Sequence, residues 1–518
     1  MSPVEFSIFV NRITAICMEM GAVLERSALS PNIKDRLDFS CALFDATGGL
    51  VAQAAHIPVH LGSMAYAMSD LVEGVDWHLG DVLVVNDPFL GGTHLPDVTL
   101  ISPCIVEKRL MGFVANRAHH ADIGADTPGS MPMSTMLNEE GLVIPPTLML
   151  RNGEATAAGR ELYAICSPVT AGDLAAQQSA VAIGIQRLSA LIASQGLDRY
   201  LSGIEQLYTY ASTLAVDAYR SIPLGVYEAA DLMDDDGNGY RDVPIRVRVT
   251  VTRESITVDF GGTSNQVTGN INCPMPVTAA AVLYCFRGLL PDDVPNCYGT
   301  FSHIHIAAPE HSLVNAQRPS AVAAGNVETS MRIVDVVLRA LQPAMPSRIP
   351  AAAQGTMNNV AMGSRSSHDP NARWDYYETI GGGTGAHAHG DGLSGVQAHM
   401  TNTLNTPIES LEHHYPLRVT AYRIRRYSGG AGRYVGGDGL LRTIRFLEPT
   451  EVTLLTERRR HPPWGLGTAQ SGQVGRNRLD DRELPGKCHL HVYTGQELTI
   501  ETPGGGGFGP AAPDEDSG

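Results

Sequence analysis

Three things are missing from the sequence, and each absence narrows the possible functions: long apolar runs, a surplus of basic charge and paired-cysteine motifs. No apolar stretch approaches the roughly 18 residues that cross a bilayer, and the best one, residues 277–286, is short and rich in alanine. The first residues lack the basic start and cleavage site of a secretory signal. With 37 Lys and Arg against 54 Asp and Glu, the formal net charge is −17. Nucleic acid and membrane are therefore not expected as partners.

Cysteine and nucleophile chemistry is also limited. The eight cysteines are scattered without a Cys-x-x-Cys pair, and most lie in apolar runs. They are typical of buried free thiols in a cytoplasmic protein, not of disulfides or a zinc knuckle. The sequence has no Gly-x-Ser-x-Gly elbow and no Gly-Lys-Ser/Thr phosphate loop. A covalent serine hydrolase and a nucleotide-binding domain are therefore disfavoured for this chain.

The hydrophobic patterning predicts an α+β fold in which helices and sheets are segregated. An amphipathic helix is expected at 4–25, and a β-hairpin follows it. At roughly 100–200 residues per domain, 518 residues suggest about three domains. We divide the chain into four parts. Residues 1–165 form a mainly β N-terminal region with a candidate metal site, and residues 166–225 form a helical middle built as an antiparallel hairpin. Residues 226–509 form a second β-rich region with Gly- and His-rich loops, and residues 510–518 are a disordered tail.

Histidine and aspartate cluster where two predicted strands meet loops. His94 and Asp97 lie in Gly-Gly-Thr-His-Leu-Pro-Asp, and His119, His120 and Asp122 lie in Ala-His-His-Ala-Asp. Imidazole and carboxylate groups suit a divalent cation such as Zn, Mn or Fe. If the strand is extended, His119 and His120 face opposite ways, so only one of them is expected to be a ligand. Hydrogen-bonded loop residues are the alternative interpretation.

Three further residues precede this cluster. Asp38 begins the first strand of the predicted hairpin and is a candidate for an additional carboxylate ligand. His56 and His60 flank Ile-Pro-Val, and we expect them to line the same cavity. A satisfied structural histidine is the alternative for each of the two.

A second His-rich stretch spans 381–392, where His387 and His389 follow a run of glycines. The glycines resemble an anion nest, and the histidines are candidates for proton carriers or substrate contacts. A flexible substrate loop is the alternative, because the spacing matches neither a P-loop nor a dinucleotide fingerprint.

Two charged motifs leave their roles open. Residues 234–239 match the first half of a calcium loop, but Ile245 stands where a bidentate glutamate is required, which favours a plain acidic turn. Residues 458–460 are three consecutive arginines. They could bind an anionic substrate or a partner's acidic surface, or form a structural ion-pair network.

Several long motifs, in this order, resemble the B subunits of the hydantoinase/oxoprolinase family. The matching segments are 30–40, 56–64, 86–97, 117–124, 436–439, 458–465 and 502–509. The resemblance covers nearly the whole chain. It implies that a separate ATPase-type A subunit activates the substrate with ATP, that this chain supplies a metal-containing site, and that the two assemble as a heterotetramer in the cytoplasm.

The resemblance also implies roles for the residues above. The metal ligands would be Asp38, His94, Asp97 and His119, with His120 and Asp122 beside them as catalytic candidates. Apart from the resemblance, the local patterns described above make His56, His60, His387 and His389 candidates for substrate contacts. The expected substrate is a hydantoin, 5-oxoproline or a simple lactam. Amides are poor electrophiles, so ATP would turn the carbonyl oxygen into a phosphorylated leaving group, which a water with a lowered pKa could then displace.

Two alternatives to ring hydrolysis remain at this stage. The related ATP-dependent ketone carboxylases, of the acetone and acetophenone type, share the same motifs. The chain could also be a noncatalytic scaffold that positions its ATPase partner. Activity with a ketone and bicarbonate would indicate the first alternative, and unchanged activity after His94→Ala and Asp97→Ala would indicate the second.

Overall fold

A computed structural model describes residues 1–54, 56–364 and 373–510 of the chain, so the predicted tail lies almost wholly outside the described residues. The α-helices are α1 (Pro3–Ser27), α2 (Pro31–Lys34), α3 (Pro58–Val72), α4 (Ala157–Ile165), α5 (Pro168–Gln195), α6 (Leu197–Tyr219), α7 (Met275–Arg287), α8 (Tyr298–Phe301), α9 (Ser330–Leu341) and α10 (Ile408–His414). A π-helical turn, Gly325–Thr329, leads into α9.

The β-strands form four sheets. The strands are β1 (Phe39–Phe44), β2 (Leu50–Gln53), β3 (Val82–Val85), β4 (Asp97–Val106), β5 (Arg109–His119), β6 (Thr147–Arg151), β7 (Glu154–Ala155), β8 (Gly225–Asp235), β9 (Arg241–Val251), β10 (Ile256–Asp259), β11 (Ile304–Ala307), β12 (Asn359–Ser364), β13 (Trp374–Glu378), β14 (Leu417–Arg425), β15 (Gly439–Phe446), β16 (Thr450–Leu455), β17 (Arg476–Leu479), β18 (Arg482–Leu484), β19 (Lys487–Val492) and β20 (Glu497–Glu501). In spatial order the sheets are β2-β1-β5-β4-β3-β6-β7, β11-β10-β9-β8, β13-β12-β16-β19 and β14-β15-β20-β17-β18. The predicted α+β class is confirmed, whereas the division into domains stays a prediction.

The seven-stranded sheet is covered on both faces. Helices α1 and α5 pack on one face of β1 and β5, and α3 packs on the other. All six residues of β1 are buried as a result, because a strand between two layers reads as a continuous apolar run and not as an alternation. The long β4–β5 hairpin in this sheet pairs Asp97 with His119.

Helix α1 begins with a capping box, in which Ser2 and Glu5 exchange hydrogen bonds. By length and composition this helix is apolar enough to cross a membrane, and α5 with α6 would pass the same test as one bent pair. In the fold, α1 buries Phe9, Ile13 and Met20 in the core that it shares with α5 and β1. Buried core helices commonly have such compositions.

Helices α5 and α6 meet at Gly196, where the chain changes direction by 106°. The antiparallel pairing that we expected was therefore wrong. The reason is that the two helices pack on different partners: α5 lies along α1, β4 and β5, while α6 lies against α8. Each apolar face is buried by tertiary contacts, and not chiefly by the other helix.

Extended segments rich in glycine pack tightly against one another in the C-terminal part of the chain. Gly437 donates its N–H to the Thr384 carbonyl at 2.8 Å, and Gly505 donates to the Gly437 carbonyl at 2.9 Å. A Cβ on Gly383 would lie 1.8 Å from the Gly437 oxygen, and a Cβ on Gly505 would lie 1.9 Å from the Thr384 oxygen. These glycines are therefore required by close backbone packing.

Candidate metal centre

Two neighbouring strands and the loop before them bring three side chains together. The β4–β5 register places Asp97 opposite His119, and the Asp97 N–H closes a turn on the His94 carbonyl at 3.1 Å. Residues His94 and Asp97 are completely buried, and His119 is 2% exposed. The hairpin and its preceding turn thus build a buried His/Asp/His cluster from two short sequence motifs.

The donor atoms of the cluster have the spacing of ligands around one cation. The His94 Nε2 and His119 Nδ1 atoms lie 3.2 Å apart, and they lie 3.2 Å and 3.1 Å, respectively, from Asp97 Oδ1. Adjacent ligands around an ion bound at about 2.0–2.2 Å are separated by roughly this distance. The residues present therefore fit a divalent metal.

Neighbouring groups fix the orientation of each ligand. The Nδ1 atom of His94 lies 3.2 Å from the Ala323 carbonyl, and a proton on Nδ1 leaves the Nε2 lone pair free for a cation. The ring of His119 stacks on Tyr377, with centroids 4.8 Å apart and planes inclined by 16°. Thr93 donates its hydroxyl proton to Asp97 Oδ2 at 2.6 Å, which leaves Oδ1 facing the two imidazoles.

Asp38 and His60 adjoin the cluster. His60 Nε2 lies 3.3 Å from Asp97 Oδ2 and 3.8 Å from Asp38 Oδ1. Pro58 at the start of α3 and the following turn bring this imidazole over the sheet. Asp38, His60, Asp97 and His119 line one cavity.

Electrostatics favour a charged carboxylate at the centre. Burial alone would raise the pKa of Asp97, but the imidazoles of His94 and His60 hold this pKa well below its usual range. Burial also opposes protonation of His94, yet the adjacent Asp97 carboxylate raises the pKa of that imidazole. Burial lowers the pKa of His119. An ionised Asp97 and a neutral His119 are the forms that bind cations.

The other wall of the cavity comes from the C-terminal half of the chain and was not predicted from the sequence. It consists of Asn326, Val327, Met357, Tyr377, Thr379, Met400, Thr401 and Thr403. Asn326 lies in the π-helical turn, and its Nδ2 is 3.4 Å from Asp97 Oδ2. The only sequence signal for this wall is the polar run Thr-Asn-Thr-Leu-Asn-Thr at 401–406.

Three predicted residues near the cluster have partners outside the cavity. His120 Nε2 lies 2.8 Å from Gln177 Oε1 on α5, because alternate residues at the end of β5 face opposite ways. Asp122 accepts the N–H of Gly124 and the hydroxyl of Ser130. His56 accepts the Cys41 N–H at 3.2 Å, and burial lowers its pKa to about 4.

The His-rich stretch ends in a tight, exposed turn. His387 and Gly390 pair through their backbones, and the side chains of both His387 and His389 are exposed. Neither residue lines the cavity described above. The glycines that precede them are accounted for by the backbone packing in the C-terminal part of the fold.

The charged motifs have structural partners. Arg458 is completely buried and binds the carboxylates of Asp231 and Asp335, while Arg459 donates to two side-chain amide oxygens. This supports the ion-pair alternative for 458–460. The acidic run forms the turn between β8 and β9, where Asp236 accepts two backbone N–H groups of its own turn.

Fold and site together define a class: an α+β protein with a buried His/Asp cluster walled by two different sheets. The sequence profile of the Hydantoinase B/oxoprolinase family matches residues 2–511. The chain belongs to this family, which confirms the resemblance drawn from the motifs.

Two relatives differ in how much of their length this chain covers. An uncharacterized protein of Methanocaldococcus jannaschii is 39% identical, and the match spans 98% of this chain and 91% of that protein. The 5-oxoprolinase 1 of Arabidopsis thaliana is also 39% identical over 98% of this chain, but only 42% of the plant protein is matched. The match therefore spans less than half of the plant enzyme.

Two solved structures share the fold. The ATP-dependent caprolactamase from Pseudomonas jessenii aligns with a TM-score of 0.89 at 25% identity, over 98% of this chain and 91% of that chain. An acetone carboxylase aligns with a TM-score of 0.85 at 17% identity, over 98% of this chain and 76% of that chain. The second likeness concerns the fold alone.

Proposed function

We propose that this chain is the B-type subunit of an ATP-dependent cyclic amide hydrolase that opens a hydantoin, 5-oxoproline or lactam ring. The observation that carries the proposal is the buried cluster of His94, Asp97 and His119, whose donor atoms have metal-ligand spacing. Relatives named 5-oxoprolinase and ATP-dependent caprolactamase support cyclic amides as the substrate class.

His94, Asp97 and His119 would hold a divalent cation, Zn, Mn or Fe, with Asp38 as an additional ligand. When bound, the cation supplies Lewis acidity toward a carbonyl or phosphoryl oxygen and lowers the pKa of water. Thr93 and the Ala323 carbonyl keep Asp97 and His94 in orientation. Outer partners of this kind hold ligand geometry in metal sites generally.

His60 is the group best suited to move a proton. Its Nε2 lies between the carboxylates of Asp38 and Asp97 and faces the cavity. An imidazole in that position accepts a proton at Nε2 while neighbouring negative charge stabilises the cation that forms. His120 and Asp122, the catalytic candidates from the sequence, support the end of β5 through Gln177 and Ser130 instead.

A separate ATPase-type A subunit carries out the phosphorylation, and the two chains assemble as a heterotetramer in the cytoplasm. A chain of the ATP-dependent caprolactamase supports this proposal, because the match with this chain covers 91% of it, whereas the match covers only 42% of the plant 5-oxoprolinase.

The second candidate function is ATP-dependent carboxylation of a ketone, and the observation in its favour is the fold shared with acetone carboxylase. The test measures ATP turnover by this chain coexpressed with its A-type partner, against 5-oxoproline, hydantoins, lactams, and ketones with bicarbonate. A cyclic amide that stimulates ATP use and yields the ring-opened acid supports hydrolysis. If ATP turnover is stimulated only by a ketone with bicarbonate, and by no cyclic amide, the hydrolase proposal is overturned.

The scaffold alternative is tested on the same complex. We expect His94→Ala to lose both bound metal and ring-opening activity while the complex still assembles. Metal content by elemental analysis and assembly by size-exclusion chromatography separate loss of the centre from loss of the fold. Full activity in a metal-depleted His94→Ala complex would indicate a scaffold.

A further inference from the structure

We propose that Arg36 and three threonines, Thr379, Thr401 and Thr403, form a binding wall for an oxyanion beside the metal centre. The oxyanion is a phosphate or carboxylate group of the ligand. This inference rests on the proposed function, in which the activated amide carries a phosphoryl group and the opened ring carries a carboxylate. We call these four residues the Arg36–threonine wall.

Arg36 places a positive charge behind the cavity. Its guanidinium is completely buried, and it donates to the Tyr377 carbonyl at 2.9 Å and to Thr379 Oγ1 at 3.2 Å. Its nearest carboxylate oxygen in the described chain, Asp38 Oδ2, lies 3.8 Å away, beyond hydrogen-bond distance. Buried charges are normally paired by direct hydrogen bonds, so this guanidinium is incompletely compensated.

The threonine hydroxyls continue a chain of hydrogen bonds from the Arg36 guanidinium toward the cavity. A hydroxyl has one proton and two acceptor lone pairs. Thr379 Oγ1 accepts from Arg36 and from Gln397 Nε2 at 3.3 Å, so its own proton goes to Thr403 Oγ1, 2.8 Å away. Both lone pairs of Thr379 are then used, and the chain of donors runs outward from the guanidinium.

Thr403 and Thr401 extend the chain of hydrogen-bond donors to the cavity. Thr403 Oγ1 accepts from Thr379 and from Arg36 Nη2 at 3.5 Å, so it donates onward. Thr401 Oγ1 is 3.5 Å away, and both residues line the cavity. The donor chain therefore ends at Thr401, whose hydroxyl proton is left for a ligand oxygen that bears negative charge.

The charge balance of the cavity favours an anion. Two carboxylates, Asp38 and Asp97, line it together with the imidazoles. They balance a divalent cation, which leaves the Arg36 charge for the ligand.

The experiment measures anion binding by isothermal titration calorimetry on the purified full-length chain, with metal content assayed on each sample. Inorganic phosphate and acetate are the two probes. The variants are Thr401→Val and Thr403→Val, which keep the side-chain shape and remove the hydroxyl. The matched control is Thr443→Val. The buried Thr443 Oγ1 lies 3.0 Å from the Thr499 hydroxyl, and both residues belong to the sheet that contains β15, away from the cavity.

We expect the dissociation constant of one probe to rise about tenfold in both wall variants, with metal content unchanged and the control like the wild type. Weakening of phosphate binding identifies a phosphoryl group, and weakening of acetate binding identifies a carboxylate. The proposal is overturned if the wild-type chain binds neither anion, or if the wall variants bind both as tightly as the control. The titration needs neither ATP nor a partner, so it tests the anion site independently of the ring-hydrolysis assay. Failure of one experiment can therefore be distinguished from failure of the other.

Discussion

The His119 imidazole stacks on the Tyr377 ring at 4.8 Å, and this contact joins the seven-stranded sheet to the sheet that contains β13. The Tyr377 hydroxyl donates to Asn359 Oδ1 at 2.6 Å on the neighbouring strand β12. The stack holds one face of the Tyr377 ring and the hydrogen bond holds its hydroxyl, so the ring is a rigid support for the candidate ligand His119. The candidate centre is therefore completed by a contact between parts of the chain that lie far apart in the sequence.

Tyr377→Leu should weaken metal binding while leaving the three ligands in place. Leucine removes the stacked ring that orients His119, and loss of an outer partner commonly lowers metal affinity about 10–100-fold. Metal retention during dialysis against a graded chelator measures the effect. Tyr377→Phe is the control, because it keeps the stack and loses only the hydrogen bond to Asn359, at about 1–3 kcal/mol of stability. Equal metal loss in both variants would argue against orientation by stacking.

Asp97→Asn should abolish tight metal binding with little change in side-chain volume. The amide has no net charge, and the three imidazoles around it would lose the carboxylate that they share. Elemental analysis of the purified variant, with circular dichroism to check the fold, is the measurement. Asp242→Asn is the matched control, since that exposed carboxylate also pairs with a histidine, His461. Stoichiometric metal in Asp97→Asn would exclude Asp97 as a ligand.

The clustering of His94, Asp97 and His119 could be predicted from the sequence because each motif is short and local. His94 and Asp97 are three residues apart, and the strand that ends at His119 pairs with the strand that starts at Asp97. The wall formed by Tyr377, Thr379 and Thr403 could not be predicted, since its residues share no spacing with the ligands. Their position depends on how two sheets pack, which is a tertiary property.

The glycine run at 381–385 was misleading for a related reason. In sequence it resembles an anion nest, but its glycines pack against other backbone segments of the same chain, and nothing in the local sequence distinguishes the two cases. Likewise, the sequence left open whether residues 458–460 bind an anionic group or form an ion-pair network, and Arg458 is completely buried between two aspartates. Partners distant in the sequence decide both assignments: Gly437 and Gly505 pack against Gly383, and Asp231 and Asp335 pair with Arg458.

Glu140 should make the protein less stable as the pH rises from about 4.5 to 7. Burial raises the pKa of this carboxyl to about 7 from its ordinary 4.5, so the unfolded chain releases the proton first. A raised acid pKa contributes stability below the unfolded pKa and loses it as the pH approaches the folded one. The difference corresponds to about 3 kcal/mol. The measurement is the midpoint of thermal unfolding between pH 4.5 and 8.

Glu140→Gln should flatten that profile. The amide keeps an acceptor for Ser134 and for the N–H groups of Val322 and Ala323, and it has no proton to lose. Glu139→Gln is the control, because backbone hydrogen bonds lower the pKa of the exposed Glu139. Its contribution is present above the ordinary pKa and is lost only as the pH falls below it, so Glu139→Gln should leave the profile between pH 4.5 and 8 almost unchanged. The same slope in both would contradict the assignment.

Arg458→Met should destabilise the fold much more than Arg460→Met. Removing Arg458 leaves the buried carboxylates of Asp231 and Asp335 without their shared guanidinium, and breaking a buried pair costs about 3–5 kcal/mol. Arg460 pairs with Asp242 at the surface, where a salt bridge is worth at most about 1 kcal/mol. Denaturant titration measures both changes. If Arg458→Met were as stable as Arg460→Met and lost only substrate affinity, a substrate-binding role for the run would replace the structural one.

Gly505→Ala tests whether the glycine-rich segments are held by packing or are free to move around a ligand. An added Cβ would lie 1.9 Å from the Thr384 carbonyl oxygen, and neither backbone segment can shift without breaking its hydrogen bonds to others. We expect a loss of at least about 3 kcal/mol, the upper range for overpacking, or failure to accumulate as folded protein. Gly288→Ala is the control, because its Cβ would meet no atom closer than 3.5 Å in the described chain, and it should change stability by at most about 1 kcal/mol. Denaturant titration and soluble yield are the measurements. A Gly505→Ala protein with unchanged stability and weaker anion binding would restore the anion-nest interpretation of these glycines.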